Sequence, residues 1–147
     1  MNNGFSILVI DDEAQIRKLL EIALEANEYR VLFATNGKEG ITMAASHQPD
    51  LILLDLGLPD EDGQSILKKL REWFINPIII LSVKSTEEEI VKALDNGAND
   101  YMTKPFRTQE LLARIRTALR SKTSSSNETI QFFGSCNIDF ASRIVKN

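Results

Sequence analysis

Leu51-Ile52-Leu53-Leu54-Asp55 is a run of four apolar residues that ends on a carboxylate. An uninterrupted apolar run this short, followed by turn formers at Gly57, Pro59, Asp60 and Gly63, is the pattern of a strand buried on both faces of a parallel sheet. Asp55 then stands at the strand's carboxyl edge, where open α/β sheets collect ligands and chemistry.

Outward from this stretch the chain alternates strand-like and helix-like segments. Ile7-Leu8-Val9-Ile10 is a first buried strand and ends in Asp11-Asp12-Glu13. Ile16, Leu19, Leu20, Ala23 and Leu24 recur at helical spacing and predict a helix from about Ala14 to Ala26. Arg30 to Ala34 is a second strand. Asn36-Gly37 turns the chain into a helix carrying Ile41, Ala44 and Ala45, which His47-Gln48-Pro49 ends. A helix near Gln64 to Trp73 follows the 51–54 strand, and Ile78-Ile79-Ile80-Leu81 is a fourth strand that ends at Ser82. Ser85-Thr86-Glu87-Glu88 fits a capping box with Ser85 as N-cap, and the helix it opens stops at Asn96-Gly97. Asp100 to Thr103 is a short fifth strand, broken by Lys104-Pro105-Phe106. Thr108 caps a last helix whose Leu111, Leu112, Ile115 and Leu119 form one apolar stripe. Five strands alternating with five helices through right-handed crossovers give an α/β fold, a parallel sheet with helices on both faces.

The 147 residues, 43% apolar and 26% charged, suffice for one well-buried domain and a fragment of another. The net charge is -4, and residues up to Ser121 hold 14 basic against 19 acidic side chains. An acidic domain is a poor match to nucleic acid, which calls for a basic patch. The single cysteine, Cys136, excludes an internal disulfide, and with no cation beside it the thiol is expected to be inert. No apolar run exceeds four residues, so no membrane span or signal segment is expected and the cytoplasm is the default location. His47, the one histidine, lies at a helix end, which argues against a His-dependent triad and against a self-contained histidine kinase.

The strand ends carry the chemistry. Asp11 and Asp12 end the first strand, Asp55 the third, Ser82 the fourth and Lys104 the fifth, so these side chains gather at one edge of the sheet. Three carboxylates this close repel one another, and at least one pKa is expected to rise unless a cation compensates. Oxygen ligands of this kind suit Mg²⁺. A carboxylate can attack phosphorus to give an aspartyl-phosphate, whose transition state is eased by a metal, a lysine and a small hydroxyl.

Ile-Asp-Asp-Glu (10–13), Leu-Leu-Asp-Leu-Gly-Leu-Pro-Asp-Glu-Asp-Gly (53–63), Ile-Leu-Ser (80–82), Gly-Ala-Asn-Asp-Tyr (97–101) and Thr-Lys-Pro-Phe (103–106) closely resemble the receiver domain of two-component response regulators, a flavodoxin-like (βα)5 fold. The resemblance covers about residues 5–121 and is strongest to the OmpR/PhoB class. Asp-Leu-Gly-Leu-Pro-Asp (55–60) beside Leu-Arg-Glu-Trp (70–73) looks like its KdpE-type, potassium-responsive members. The resemblance implies that Asp55 takes a phosphoryl group from a KdpD-like sensor histidine kinase. It further implies that Asp12, Asp55 and the Gly57 carbonyl bind Mg²⁺, with Asp11 helping through water. Ser82 and Tyr101 would form a switch pair, and Lys104 would hold the phosphoryl oxygen beside a cis peptide at Pro105. The fourth helix, fifth strand and fifth helix, with Lys92, Asp95, Asp100, Glu110, Arg114 and Arg116, would form a two-fold dimer face. The chain would thus be a phosphoacceptor switch, catalysing only its own phosphorylation and dephosphorylation.

Three positions depart from the family pattern. Asn99 stands where many members carry Asp and Ser121 where many carry Arg, so one ion pair common in the class is expected to be missing. Val83 stands where a small residue is usual and is expected to narrow access to Asp55, with Lys84 near the mouth. Residues 122–128, with three consecutive serines, have linker composition. Ile130 to Gly134 and Ile138 to Phe140 look like short strands, and residues 129–147 resemble the start of a winged-helix DNA-binding domain without its recognition helix, so DNA binding is expected only in a longer form. Two other classes fit less well. A haloacid-dehalogenase-type phosphatase needs a second Asp two residues after its nucleophile, where this chain has Glu13 and Gly57. A stand-alone receiver would not need the strand-like tail.

Overall fold

The computed structural model describes residues 4–131, with side chains through Arg120. Ten elements alternate in the order β1 (Ser6–Ile10), α1 (Ala14–Ala26), β2 (Arg30–Ala34), α2 (Gly37–His47), β3 (Leu51–Asp55), α3 (Gly63–Arg71), β4 (Ile78–Ser82), α4 (Glu87–Asp95), β5 (Asp100–Thr103) and α5 (Thr108–Gln131). The strands form one parallel sheet in the order β2-β1-β3-β4-β5.

Both faces of the central strands are buried, as their unbroken apolar runs require. Because successive side chains point to opposite faces, Leu8, Ile10, Ile52, Leu54, Ile78 and Ile80 enter one core with α2, α3 and α4. Ile7, Val9, Leu51, Leu53, Ile79 and Leu81 enter a second core with α1 and α5. The chain runs outward from β1 to β2 on one side and returns to β3 on the other, so a crevice opens between the carboxyl ends of β1 and β3. Register then fixes the site, since Ile10 pairs with Leu54, Asp55 with Leu81 and Ser82 with Thr103. Asp11, Asp55, Ser82 and Lys104 therefore stand at the same rim.

Local details differ from the sequence reading at three places. The N-cap of α4 is Thr86, which accepts from the Glu89 amide at 3.3 Å, rather than Ser85. A Ser/Thr-x-x-Glu box occurs at both registers, and the later one places Glu87, Glu88 and Glu89 together against the positive helix end. Helix α3 stops at Arg71, two residues before Trp73, where the amides of Trp73 and Phe74 both fold back onto the Leu70 carbonyl. Helix α5 continues through 122–128, the stretch of linker composition, which contains neither Gly nor Pro to end it. Ile130 and Gln131 are its last residues, while 132–134, Cys136 and Ile138–Phe140 lie outside the described residues.

The loop from β3 to α3 closes tightly. The Gly63 amide donates to the Leu56 carbonyl at 3.0 Å, and a Cβ on Gly63 would collide with the Leu56 backbone. Gly63→Ala is therefore expected to lower unfolding free energy by about 1–3 kcal/mol, the usual penalty of overpacking a filled site. Urea titration followed by circular dichroism measures it, and an unchanged midpoint would show that the loop gives way freely.

Candidate functional site: an acidic pocket at the carboxyl edge of the sheet

Asp11, Asp12 and Asp55 each place a carboxylate oxygen so that all three lie within 4.8 Å of one another. Asp11 and Asp55 are buried, and Asp12 is exposed at the crevice mouth. Asp11 Oδ1 accepts from the Glu13 amide at 2.9 Å, and the Arg17 guanidinium donates to the Asp11 carbonyl at 2.8 Å, so β1 hands over to α1 through a fixed turn. Asp55 Oδ1 accepts from the Gly57 amide at 3.1 Å, which ties the nearest turn of the following loop to the carboxylate.

Lys104 compensates this cluster. Its side chain is only 7% exposed, and the ammonium nitrogen lies 2.9 Å from Asp11 Oδ2, 2.9 Å from Glu13 Oε1 and 3.6 Å from Asp55 Oδ1. Burial opposes the lysine's charge, yet the bonds to Glu13 and Asp11 more than restore it, so its pKa rises above 10.5. Asp55 moves upward from 3.8, first because it is buried and further because Asp11 and Asp12 repel its charge. The Gly57 amide and Lys104 only partly offset this. The repulsion anticipated from three strand-end acids is present, but desolvation is the larger cause. Glu13 is the residue that sequence reading passed over. It occupies the N-cap position of α1 without capping it, its side chain reaching instead to Lys104, and the signal was its place as third acid in the 11–13 run.

The donor set fits a hard divalent cation. It offers three carboxylate oxygens at the crevice, a raised Asp55 pKa that a cation would relieve, and one lysine against four acids. Gly57 is exposed beside them. Across the crevice Ser82 is buried and its Oγ accepts from the Lys84 amide at 3.1 Å. Tyr101 is half-buried against the α2–α3–α4 core, and its hydroxyl donates to the Lys84 carbonyl at 2.8 Å. Ser82 and Tyr101 thus hold the main chain of one residue between them. Val83 is 73% exposed beside Ser82. The Lys104–Pro105 peptide is cis.

The six residues on α4, β5 and α5 fall into two groups. Arg114 bonds Asp100 at 2.9 Å and Glu110 at 3.1 Å within the chain, which holds its pKa above the usual arginine value. Lys92, Asp95 and Arg116 are exposed, with Val91 and Leu94 exposed among them. Asn99 serves the fold, its Oδ1 accepting from Arg71 at 2.7 Å and from the Ile78 amide at 2.9 Å.

A carboxyl whose folded pKa is raised costs stability once it ionises. For Asp55 the cost is absent below about 3.8 and grows as pH rises through the higher folded value. Asp55→Asn removes it, so the variant is expected to be more stable than the parent at pH 7 and indistinguishable from it near pH 3.5. Thermal melts across that range test the sign, and equal melting temperatures at pH 7 would contradict a strained carboxylate.

Comparison with known proteins gives the same picture. A family model described as the response regulator receiver domain matches residues 7–116. The KDP operon transcriptional regulatory protein KdpE of Escherichia coli (strain K12) is 43% identical over 142 residues, covering 95% of this chain and 63% of the relative. KdpE of Mycobacterium tuberculosis is 47% identical over 120 residues, covering 82% of this chain and 53% of the relative. Response regulator ArlR of Staphylococcus aureus is 45% identical over 114 residues, covering 78% of this chain and 52% of the relative. This chain thus spans between about half and under two thirds of the length of these curated relatives. Among solved structures, the receiver domain of the Francisella response regulator 1452 superposes with a TM-score of 0.78 at 32% identity, covering 81% of this chain and 99% of that one. With the crevice, the strand-end acids and the family match in agreement, this chain belongs to the response regulator receiver domain family and is KdpE-like among two-component regulators.

Proposed function

We propose that the domain is a phosphorylation switch in which Asp55 receives a phosphoryl group from the phosphohistidine of a KdpD-like sensor histidine kinase. The observation that carries this reading is the Asp55 carboxylate, buried in the crevice with two further carboxylates and a buried lysine around it. An Asp55 oxygen attacks phosphorus, the P–N bond breaks, and the imidazole nitrogen leaves with the electron pair and takes up a proton. Asp12, Asp55 and the Gly57 carbonyl would hold Mg²⁺, with Asp11 through water. When bound, the ion supplies positive charge that offsets the carboxylates and the phosphoryl oxygens. Lys104 is placed to exchange a carboxylate partner for a phosphoryl oxygen, and the Ser82 hydroxyl to donate to another.

Donation from Ser82 to the phosphoryl group pulls on its bond from the Lys84 amide. The same residue's carbonyl holds the Tyr101 hydroxyl, so a shift at Ser82 reaches the start of α4 and β5 directly. Populations then move toward a conformer whose α4–β5–α5 face pairs with a second copy, Arg114, Asp100 and Glu110 exchanging partners within the chain for partners across the dimer. In a longer protein with a DNA-binding domain, dimerisation would place two such domains together and control transcription. The likeness to a KDP operon transcriptional regulator supports transcription control as the output, and potassium-transport genes, implied by the KdpE-type resemblance, are the targets of this reading.

Incubation with acetyl phosphate and Mg²⁺ is expected to add the mass of one phosphoryl group to the parent chain and none to Asp55→Asn. An adduct on the variant would move the acceptor elsewhere, and no adduct on either would remove the switch reading. Arg114→Ala is expected to accept phosphate normally but to weaken the phosphorylated dimer about tenfold, roughly 1.4 kcal/mol. Sedimentation velocity reads this, and an undiminished dimer would place the interface on another face.

A further inference from the structure

The loop carrying Gly57 lies between β3 and α3 and is fastened at its base by apolar anchors, Leu56 and Leu58, and by the Gly63 amide. At its tip Glu61 accepts from Ser65 at 2.6 Å and pairs with Lys69 at 2.7 Å, both on α3, and Asp60 ties the tip to α2. Asp60 reaches across to the start of α2, Oδ1 accepting from the Gly37 amide at 2.8 Å and Oδ2 from the Lys38 amide at 3.0 Å. Both amides belong to the first turn of α2, where no intrahelical acceptor exists for them. The helix's positive end favours the carboxylate, and the two amides depress its pKa below 3.8. The approach is close because residue 37 is a glycine; a Cβ there would strike Ile66 and press on Asp60.

Asp60 touches none of the acidic pocket's side chains among the contacts above, yet it lies only three residues beyond Gly57. We infer that Asp60 is a positioning residue, clamping the loop tip to α2 so that the Gly57 backbone is held ready as a cation ligand beside Asp55. This rests on the cation site proposed above. Without the clamp the tip gains conformations, and cation binding must then order the loop, which weakens binding without removing any ligand. The N-cap of the same helix provides a built-in control. Asn36 Oδ1 accepts from the Glu39 amide at 2.8 Å, so Asn36→Ala weakens the start of α2 while leaving the Asp60 clamp in place.

The test is Mg²⁺ titration of the ¹⁵N-labelled full chain, followed through the Gly57 amide resonance, for the parent, Asp60→Ala, Asp60→Asn and Asn36→Ala. Asp60→Ala is expected to raise the Mg²⁺ dissociation constant about tenfold, the lower end of what losing an outer-shell partner does to a metal site. Asp60→Asn, which keeps one acceptor oxygen, should fall between it and the parent. Asn36→Ala should melt at a lower temperature with its Mg²⁺ affinity unchanged, a separation that a purely structural role for Asp60 would not produce. Affinity for Asp60→Ala within twofold of the parent, or an equal loss in Asn36→Ala, overturns the clamp while leaving the cation site standing. If the parent itself shows no Mg²⁺-dependent shift, both the cation site and the clamp are overturned.

Discussion

One buried ammonium group shared among acids governs this molecule. Lys104 lies within 2.9 Å of carboxylates from Asp11 and Glu13 and 3.6 Å from Asp55, and it is brought there by the last residue pair of the β4–β5 ladder. Removing the lysine would leave the buried acids uncompensated, a costly state in a low-dielectric crevice. The arrangement still leaves the acids in excess, and Asp55 bears the consequence as a raised pKa. A site already short of positive charge is one that a cation enters readily, and under the proposed switch it is one where the lysine would change partners for a phosphoryl group.

The scaffold keeps that imbalance in place by being rigid where it counts. The central strands are buried on both faces, and their register, not any loop, sets the level of Asp11, Asp55 and Ser82. Rigid elements position charged groups more accurately than loops do, which is how repulsive carboxylates remain close without being pushed apart. The loop that carries Gly57 is held at base and tip, by Gly63 and by Asp60.

Away from the pocket, polar side chains add further ties between elements that share an apolar core. Gln64, buried on α3, donates to the Glu89 carbonyl and accepts from Asn96, touching α4 near both of its ends. Arg71 donates to the carbonyls of Phe74, Asn76 and Gly97 and to Asn99, binding the turns after α3 and α4 together. Gly97 makes this possible, since its φ of 112° suits glycine and a side chain there would meet Arg71. Helix α4 buries little beyond Ala93, so such polar bonds weigh heavily in where it sits.

Sequence alone determined the alternation of elements, the two-faced burial of the central strands, and the gathering of Asp11, Asp12, Asp55, Ser82 and Lys104 at one rim. These follow from period and from position at a strand end, both local properties of the chain. Boundaries were less legible where two local signals competed, as at Ser85 and Thr86, or where a polar stretch lacked a residue that ends a helix, as at 122–128. Tertiary structure decided the partners. Glu13 meets Lys104 across 91 residues, Asp60 meets Gly37 across 23 and Arg71 meets Asn99 across 28. A charged or amide side chain can bond whatever the fold brings near it, and its own neighbours in sequence carry no mark of which group that is.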